Sequence, residues 1–432
     1  MPDIHVRKRL LIALIAVTAV APVCFVRFDE PTPALQIAKH LAKIGSLCGT
    51  VLIVWQFLLG FRQVVGKVLR DLLWVFNVHK IIGRYALLLI ALHPVFITIY
   101  YVTRKGFNPL TLGGGWPFWA FVLLGQVAFL LMALIVVTSV FFRERLSRTG
   151  WYGFHLTAYL ALPLVLAHSL PIGMTLEQTA LSWAWWGLIA IGAAFYIFRA
   201  LCVFGLFSDK HVVSEVEDVG PEVVKITARP LARPMEPHLG QFIYFRLGRW
   251  GPTRPFTVSH YDRETGEISI TVKALGRVTT RLQSIEEGQE VFIDGPYGIF
   301  AHAALESERP IVMIAGGIGI TPFTRLFEEL AYEPGRELHL FYGNRSSHEI
   351  VYKEELEDVE RVDVIHVLSD DPHFPGETGF ITTDLLEKYL EEELGKYEFL
   401  ICGPPVMIRK LEAALEEADV PPDQVHHELF EY

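Results

Sequence analysis

Six stretches of this chain are apolar enough to cross a membrane. They cover roughly residues 9–27, 36–61, 78–103, 117–142, 152–170 and 180–206, each near the ~20 residues a helix needs to span a bilayer's hydrocarbon core. No water reaches the backbone there, so each stretch has one option: an α-helix whose hydrogen bonds are internal. Arg7, Lys8 and Arg9 precede the first span as they would a secretory signal. No small-residue cleavage site follows, and we read it as a retained helix.

Charge divides the chain into halves suited to two solvents. Residues 1–206 hold 17 Lys and Arg against 6 Asp and Glu, and the remainder holds 21 against 42. The acidic second half is expected to be soluble and not to bind nucleic acid. Arg7, Lys8, Arg9, Arg62, Lys67, Arg70, Arg143, Arg145 and Arg148 fall at alternate ends of the spans. The positive-inside rule then places the N-terminus and the second half in the cytoplasm, with the lipid bilayer as the first half's partner. Cys24, Cys48, Cys202 and Cys402 form no CxxC or CxxCH, which argues against a disulfide framework, a zinc site or covalent haem.

Two of the spans carry paired histidines. His79 and His93 lie in "HKIIGRYALLLIALHP", and His155 and His168 in "GWYGFHLTAYLALPLVLAHS". Separations of fourteen and thirteen residues are close to four helical turns, so each pair shares roughly one helix face, ~20 Å apart along the axis. The two spans run in the same direction. His79 is then level with His155 near the inner side, and His93 with His168 near the outer side. Facing helices would offer two stacked bis-imidazole sites, each able to hold a flat macrocycle edge-on with no open position on the iron, which suits outer-sphere electron transfer.

These two stretches resemble the ferric reductase-like transmembrane domain of NADPH oxidases and ferric reductases. The resemblance implies that His79, His155, His93 and His168 are the axial ligands of two b-type haems. Lys43, Arg62 and Arg84 are the candidate partners of haem propionates.

After about residue 208 the pattern turns to short β-type runs, "HVVSEVE", "VVKITARP", "GQFIYFRL", "RPFTVSH", "EISITVKAL" and "EVFIDGPYG", which suggest a small antiparallel barrel. Strands and helices then alternate, predicting a doubly wound α/β domain with helices near 321–332, 350–358, 382–393 and 405–418. The expected organisation is a multidomain membrane protein. A six-helix all-α transmembrane bundle (1–207) is followed by an antiparallel β-barrel (208–305) and an α/β domain (306–432).

"RPFTVS" resembles the flavin motif of the ferredoxin–NADP reductase superfamily, with Phe256 where a Tyr is commoner, and "TVKALGRVTTRL" resembles its second flavin segment. The resemblance implies FAD bound by Arg254, Pro255, Phe256, Thr257, Val258, Thr271, Val272, Lys273, Gly276, Arg277, Val278 and Thr279. In "MIAGGIGITPF", Gly316, Gly317 and Gly319 keep a strand-to-helix turn free of Cβ atoms, so that a pyrophosphate can reach the helix N-terminus, with Thr321 and Pro322 in its first turn. "CGPPVM" adds Cys402, Gly403, Pro404 and Met407, which by resemblance sit beside the nicotinamide. After the second α/β strand stand Arg345 and Ser346, where an acidic residue would hold a ribose hydroxyl. They suit a 2′-phosphate, so NADPH is the expected donor, with NADH also possible. Phe430 and Tyr432 both suit the C-terminal aromatic that stacks on the flavin in this superfamily. The "ExF" pattern favours Phe430.

The expected function is transmembrane electron transfer in the plasma (cell inner) membrane, from cytosolic NADPH through FAD and two haems to molecular oxygen outside, producing superoxide. The chain looks most like a compact prokaryote-type NADPH oxidase. Ile97 stands where animal oxidases carry a further histidine, and Ala161 and Leu162 where they carry an aromatic. Alternative acceptors are a ferric or cupric chelate and an external protein. A membrane anchor or transport module with a reductase attached is a reading from another class. With no EF-hand loop and no SH3 ligand run, no obligatory cytosolic activator is expected.

Overall fold

The computed structural model describes residues 4–111, 115–206, 208–249, 251–330, 336–359 and 361–428. The chain divides into two compact units, Met1–Ala200 and Leu201–Tyr432.

The first unit is helical. It runs α1 (Ile4–Val20), α2 (Pro33–Lys43), α3 (Gly49–Leu59), α4 (Arg62–Leu69), α5 (Leu72–Lys105), α6 (Phe118–Val140), α7 (Arg148–Leu156), α8 (Ala158–Ile172), α9 (Met174–Glu177) and α10 (Leu181–Val203). Six spans among the described residues are long and apolar enough to cross a membrane, with α2–α3 and α7–α8 each counting as one. Capping sets several boundaries: the side chains of Thr32, Asp71 and Ser147 accept from the first-turn N–H groups of α2, α5 and α7. Gly106 closes α5 at φ 65°, a left-handed conformation glycine adopts without strain.

Two spans depart from regular helix. A π-turn, Ile44–Cys48, joins α2 to α3. The fifth span, expected as one helix, breaks at Thr157. Pro163 within α8 has no N–H to give the Tyr159 carbonyl four residues back, and the Tyr196 hydroxyl donates to that oxygen instead, at 2.6 Å. Small residues let α2–α3 approach α5 closely. A Cβ on Gly45 would fall 2.6 Å from the His93 backbone nitrogen, and one on Gly49 2.5 Å from Ile90.

The second unit begins with β1 (Asp209–Gly220), β2 (Val223–Pro230), β3 (Phe242–Arg246), β4 (Arg254–Tyr261), β5 (Ile268–Lys273), the short α11 (Arg277–Leu282) and β6 (Glu290–Tyr297). These strands close a barrel in the order β1-β2-β5-β4-β3-β6, every pair antiparallel. Its core is Val213, Ile226, Ile243, Val258, Ile270 and Ile293 with their neighbours.

Then come α12 (His302–Glu306), β7 (Ile311–Gly316), α13 (Thr321–Leu330), β8 (Leu338–Asn344), α14 (Lys353–Glu357), β9 (Val362–Leu368), β10 (Glu377–Thr378), α15 (Thr383–Tyr389), β11 (Glu398–Cys402), α16 (Pro405–Glu417) and β12 (Val425–Glu428). The sheet is parallel, ordered β10-β9-β8-β7-β11-β12, with buried cores on both faces. The helix expected over 382–393 stops at Tyr389, just before Glu391, Glu392 and Glu393, whose carboxylates would crowd the partial negative charge of a helix C-terminus. The edge strand β10 was not expected from the sequence.

Candidate functional site

The membrane unit brings the four histidine rings together as two pairs. His79 on α5 and His155 on α7 have centroids 6.1 Å apart, and His93 on α5 and His168 on α8 also 6.1 Å. Two imidazoles bound to opposite sides of one metal, with nitrogen–metal bonds of ~2 Å, have centres about 6 Å apart. The break at Thr157 leaves the pairing intact, because His155 lies before it and His168 after it.

Three of the rings are oriented by the backbone. Nδ1 of His79 donates to the Gln56 carbonyl (3.2 Å), that of His93 to Ala42 (3.1 Å) and that of His168 to Phe121 (2.7 Å). A carbonyl only accepts, so each Nδ1 carries the proton and Nε2 keeps the lone pair a metal needs. Ala42 lies just before the π-turn, a distortion often found at functional sites. Gly125 makes room for His168, since a Cβ there would lie 2.6 Å from the ring. Among the described residues no three His, Cys, Asp or Glu gather as a site for a bare ion. Two imidazoles cannot fill a metal's coordination sphere, so the group these pairs fit carries its own equatorial ligands, as haem does.

The propionate candidates differ in placement. Lys43 is half-buried and follows Ala42, whose carbonyl orients His93. Arg62 opens α4. Arg84 is exposed, and five residues along the helix carry it about 140° round from His79, off that histidine's face.

In the barrel, β4 begins at Arg254, whose Nη1 donates to the Thr253 carbonyl at 3.0 Å, and Pro255 beside it is half-buried. Thr257 Oγ1 is buried without a hydrogen-bond partner among the described residues. Such an orphan costs about 1–3 kcal/mol, so the hydroxyl fits a site whose partner is a bound group such as FAD. Other residues expected at the flavin lie in and around the barrel wall. Phe256, Val258 and Val272 pack on the barrel core, because alternate strand residues share a face and Thr257 and Thr271 take the other one; Val278, on α11, packs against the same core. Thr271 Oγ1 bonds Ser259 Oγ (3.0 Å) and the Tyr352 hydroxyl. Lys273 is paired with Glu349 at 3.0 Å. The Thr279 hydroxyl accepts from the N–H groups of Leu275 and Gly276, both at 2.9 Å, and so caps the start of α11. Arg277 is exposed, and a Cβ on Gly276 would meet only open space.

At the C-terminal edge of the parallel sheet, the three glycines after β7 have different reasons. A Cβ on Gly319 would lie 2.3 Å from the Cys402 carbonyl oxygen, and one on Gly316 2.7 Å from Pro404 and 2.8 Å from Met407. Both glycines serve packing against the segment after β11, as does Gly403, which abuts the Gly316 backbone. Only Gly317 has a positive φ, 54°, with open space at its Cβ position. All three were expected to clear the turn for a phosphate, and packing is a second reason for glycine at two of them. Thr321 and Pro322 are buried in the first turn of α13. Arg345 is exposed and Ser346 half-buried just beyond β8, where a nucleotide's ribose end would lie.

Cys402 ends β11 directly beside Glu428 of β12. Both are buried, and Glu428 Oε2 has no partner among the described residues. Burial pushes the Glu428 carboxyl well above the usual carboxylate range. Burial likewise pushes the Cys402 thiol up. Sequence reasoning read Glu428 only as the acid of the "ExF" pattern and missed its pairing with Cys402, which lies 26 residues away across a strand pair. Phe430 and Tyr432 lie outside the described residues.

Three family models match the chain. The ferric reductase like transmembrane component matches residues 45–166, which include His79, His93 and His155. The oxidoreductase FAD-binding domain matches 212–302 and the oxidoreductase NAD-binding domain 313–413. The chain is similar to the toluate 1,2-dioxygenase electron transfer component of Pseudomonas putida, 29% identical over 44% of this chain and 58% of that protein. It is also similar to NADH-cytochrome b5 reductase 2 of Mycosarcoma maydis, 32% identical over 37% of this chain and 48% of that protein. The chain thus spans about half the length of these curated relatives. A ferredoxin reductase in carbazole 1,9a-dioxygenase superposes with a TM-score of 0.46 at 23% identity, covering 52% of this chain and 69% of that one.

Proposed function

We propose that this chain, which matches a ferric reductase like transmembrane component and oxidoreductase FAD- and NAD-binding domains, carries electrons from cytosolic NADPH across the plasma membrane to molecular oxygen, releasing superoxide. The observation that carries the reading is the pair of 6.1 Å imidazole couples, His79/His155 and His93/His168, in one helical bundle. A hydride brings two electrons and a bis-histidine haem takes one, and FAD when bound converts between the two.

The protein's own part is positioning. Arg254, Thr257 and Arg277 hold the flavin, and Gly317 opens the backbone to the dinucleotide phosphates. Arg345 and Ser346 recognise a 2′-phosphate. Buried Cys402 and Glu428 shape an uncharged floor for the nicotinamide. In the membrane, backbone carbonyls hold His79, His93 and His168 in the tautomer that binds iron, so those three rings need not reorient as charge moves. A histidine on either side of each haem would leave the acceptor no open position, so the acceptor would react without binding the metal.

A ferric or cupric chelate is the alternative acceptor, favoured by the aliphatic residues Ile97, Ala161 and Leu162. The test is NADPH-driven cytochrome c reduction by purified, cofactor-loaded protein. Inhibition by superoxide dismutase is expected. Dismutase-insensitive turnover that prefers ferric chelates would replace oxygen with metal as acceptor. A reduced-minus-oxidised spectrum without a b-type signal after haem-replete expression would end the haem reading and leave a membrane-anchored reductase.

A further inference from the structure

Of the four paired imidazoles, three are anchored by a hydrogen bond from Nδ1 to a backbone carbonyl. His155 is the exception. Its Nδ1 is buried and has no hydrogen-bond partner among the described residues.

Against this ring lies Trp151, one turn earlier on the same face of α7. The two rings stack with centroids 5.0 Å apart and planes 28° from parallel. The indole is itself fixed twice. Its Nε1 donates to Ser139 Oγ near the end of α6 at 3.1 Å, and the Arg143 guanidinium lies 4.6 Å from the ring centre, within cation–π range.

The two kinds of anchor are chemically different. A hydrogen bond from Nδ1 orients an imidazole and also raises its basicity toward a metal. A stack fixes the plane of the ring and leaves that basicity alone. We infer that Trp151 is the positioning residue for His155, and that it makes the inner couple unlike the outer one. His79/His155 joins one hydrogen-bonded ring to one stacked ring, whereas His93/His168 joins two hydrogen-bonded rings. The inference rests on the two-haem reading above. Its consequence is selective: loss of the indole is felt at one haem, as a changed potential and axial-ligand signature.

The test compares the full chain, purified in lipid nanodiscs, with its Trp151→Leu and Trp151→Phe variants. Three quantities are read: haem per chain, the low-spin ferric signals by electron paramagnetic resonance, and the two components of a potentiometric titration. Trp151→Leu is expected to shift one signal and one potential, or to weaken haem retention at one site by roughly 10–100-fold. Trp151→Phe keeps a stacking face and is expected to stay close to wild type. A Trp151→Leu variant with both signals, both potentials and full haem content unchanged overturns the inference. So does equal disturbance of both haems in both variants, which would make Trp151 a support of the bundle. Failure of the underlying reading looks different, because wild-type protein would then show no low-spin haem before any variant is compared.

Discussion

Cys402 and Glu428 face each other in register at the ends of β11 and β12, a buried thiol beside a buried carboxyl. Burial lifts the carboxyl well above its ordinary value. The folded chain therefore keeps the Glu428 proton to a higher pH than the unfolded chain does.

That proton sets the sign of a pH effect. Its stabilising contribution is complete below the unfolded carboxyl value of ~4.3 and is lost as pH rises through the folded value. Glu428→Gln keeps the shape and cannot ionise. Calorimetry of the intact chain between about pH 5 and 8 should show the reductase transition falling less steeply with pH in the variant than in wild type. Parallel curves would show that Glu428 is ionised in the folded state.

The glycines after β7 should separate stability from nucleotide binding. Gly319→Ala drives a Cβ against the Cys402 carbonyl and should cost about 1–3 kcal/mol or more, seen as a lower Tm. Gly317→Ala meets no neighbour, and its backbone strain is only ~1–2 kcal/mol. Its larger effect should be a raised KM for NADPH. Equal loss of Tm in both variants would contradict this division.

Gly125→Ala should act on one haem alone. The added methyl would press on the His168 ring and leave His79 and His155 untouched. Haem content is expected to fall toward one per chain, with the remaining low-spin signal unchanged. Two full haems with wild-type spectra would mean that α6 yields easily at this point.

Arg345→Ala tests the choice of nicotinamide. Charge-assisted hydrogen bonds to a phosphate contribute about 1.5–3 kcal/mol, so the preference for NADPH over NADH should fall roughly 10–100-fold. The change should appear in KM, with kcat for NADH retained. An unchanged ratio of kcat/KM for the two nucleotides would remove Arg345 from 2′-phosphate recognition.

Hydropathy and spacing alone determined much of this protein. A bilayer leaves the backbone only helices, so six apolar runs meant six spans. A four-turn histidine spacing on two parallel spans brought the rings level because helical rise is constant. Alternating short strands, and then strands followed by helices, told the barrel from the parallel sheet. What local pattern could not carry is whatever depends on a partner distant in the chain. Whether a strand residue at the flavin motif faces ligand or core was decided by the register of β4 and β5, which sent Phe256, Val258 and Val272 inward. Glu428 met Cys402 only through the pairing of β11 with β12. Gly316 and Gly319 proved to serve packing because another segment lies against them. The difference in how His155 and its three counterparts are held came from which carbonyls and rings the assembled helices offered. Periodicity is a property of a segment and is written in its own residues, whereas a hydrogen-bond partner or a steric limit exists only once two segments have met.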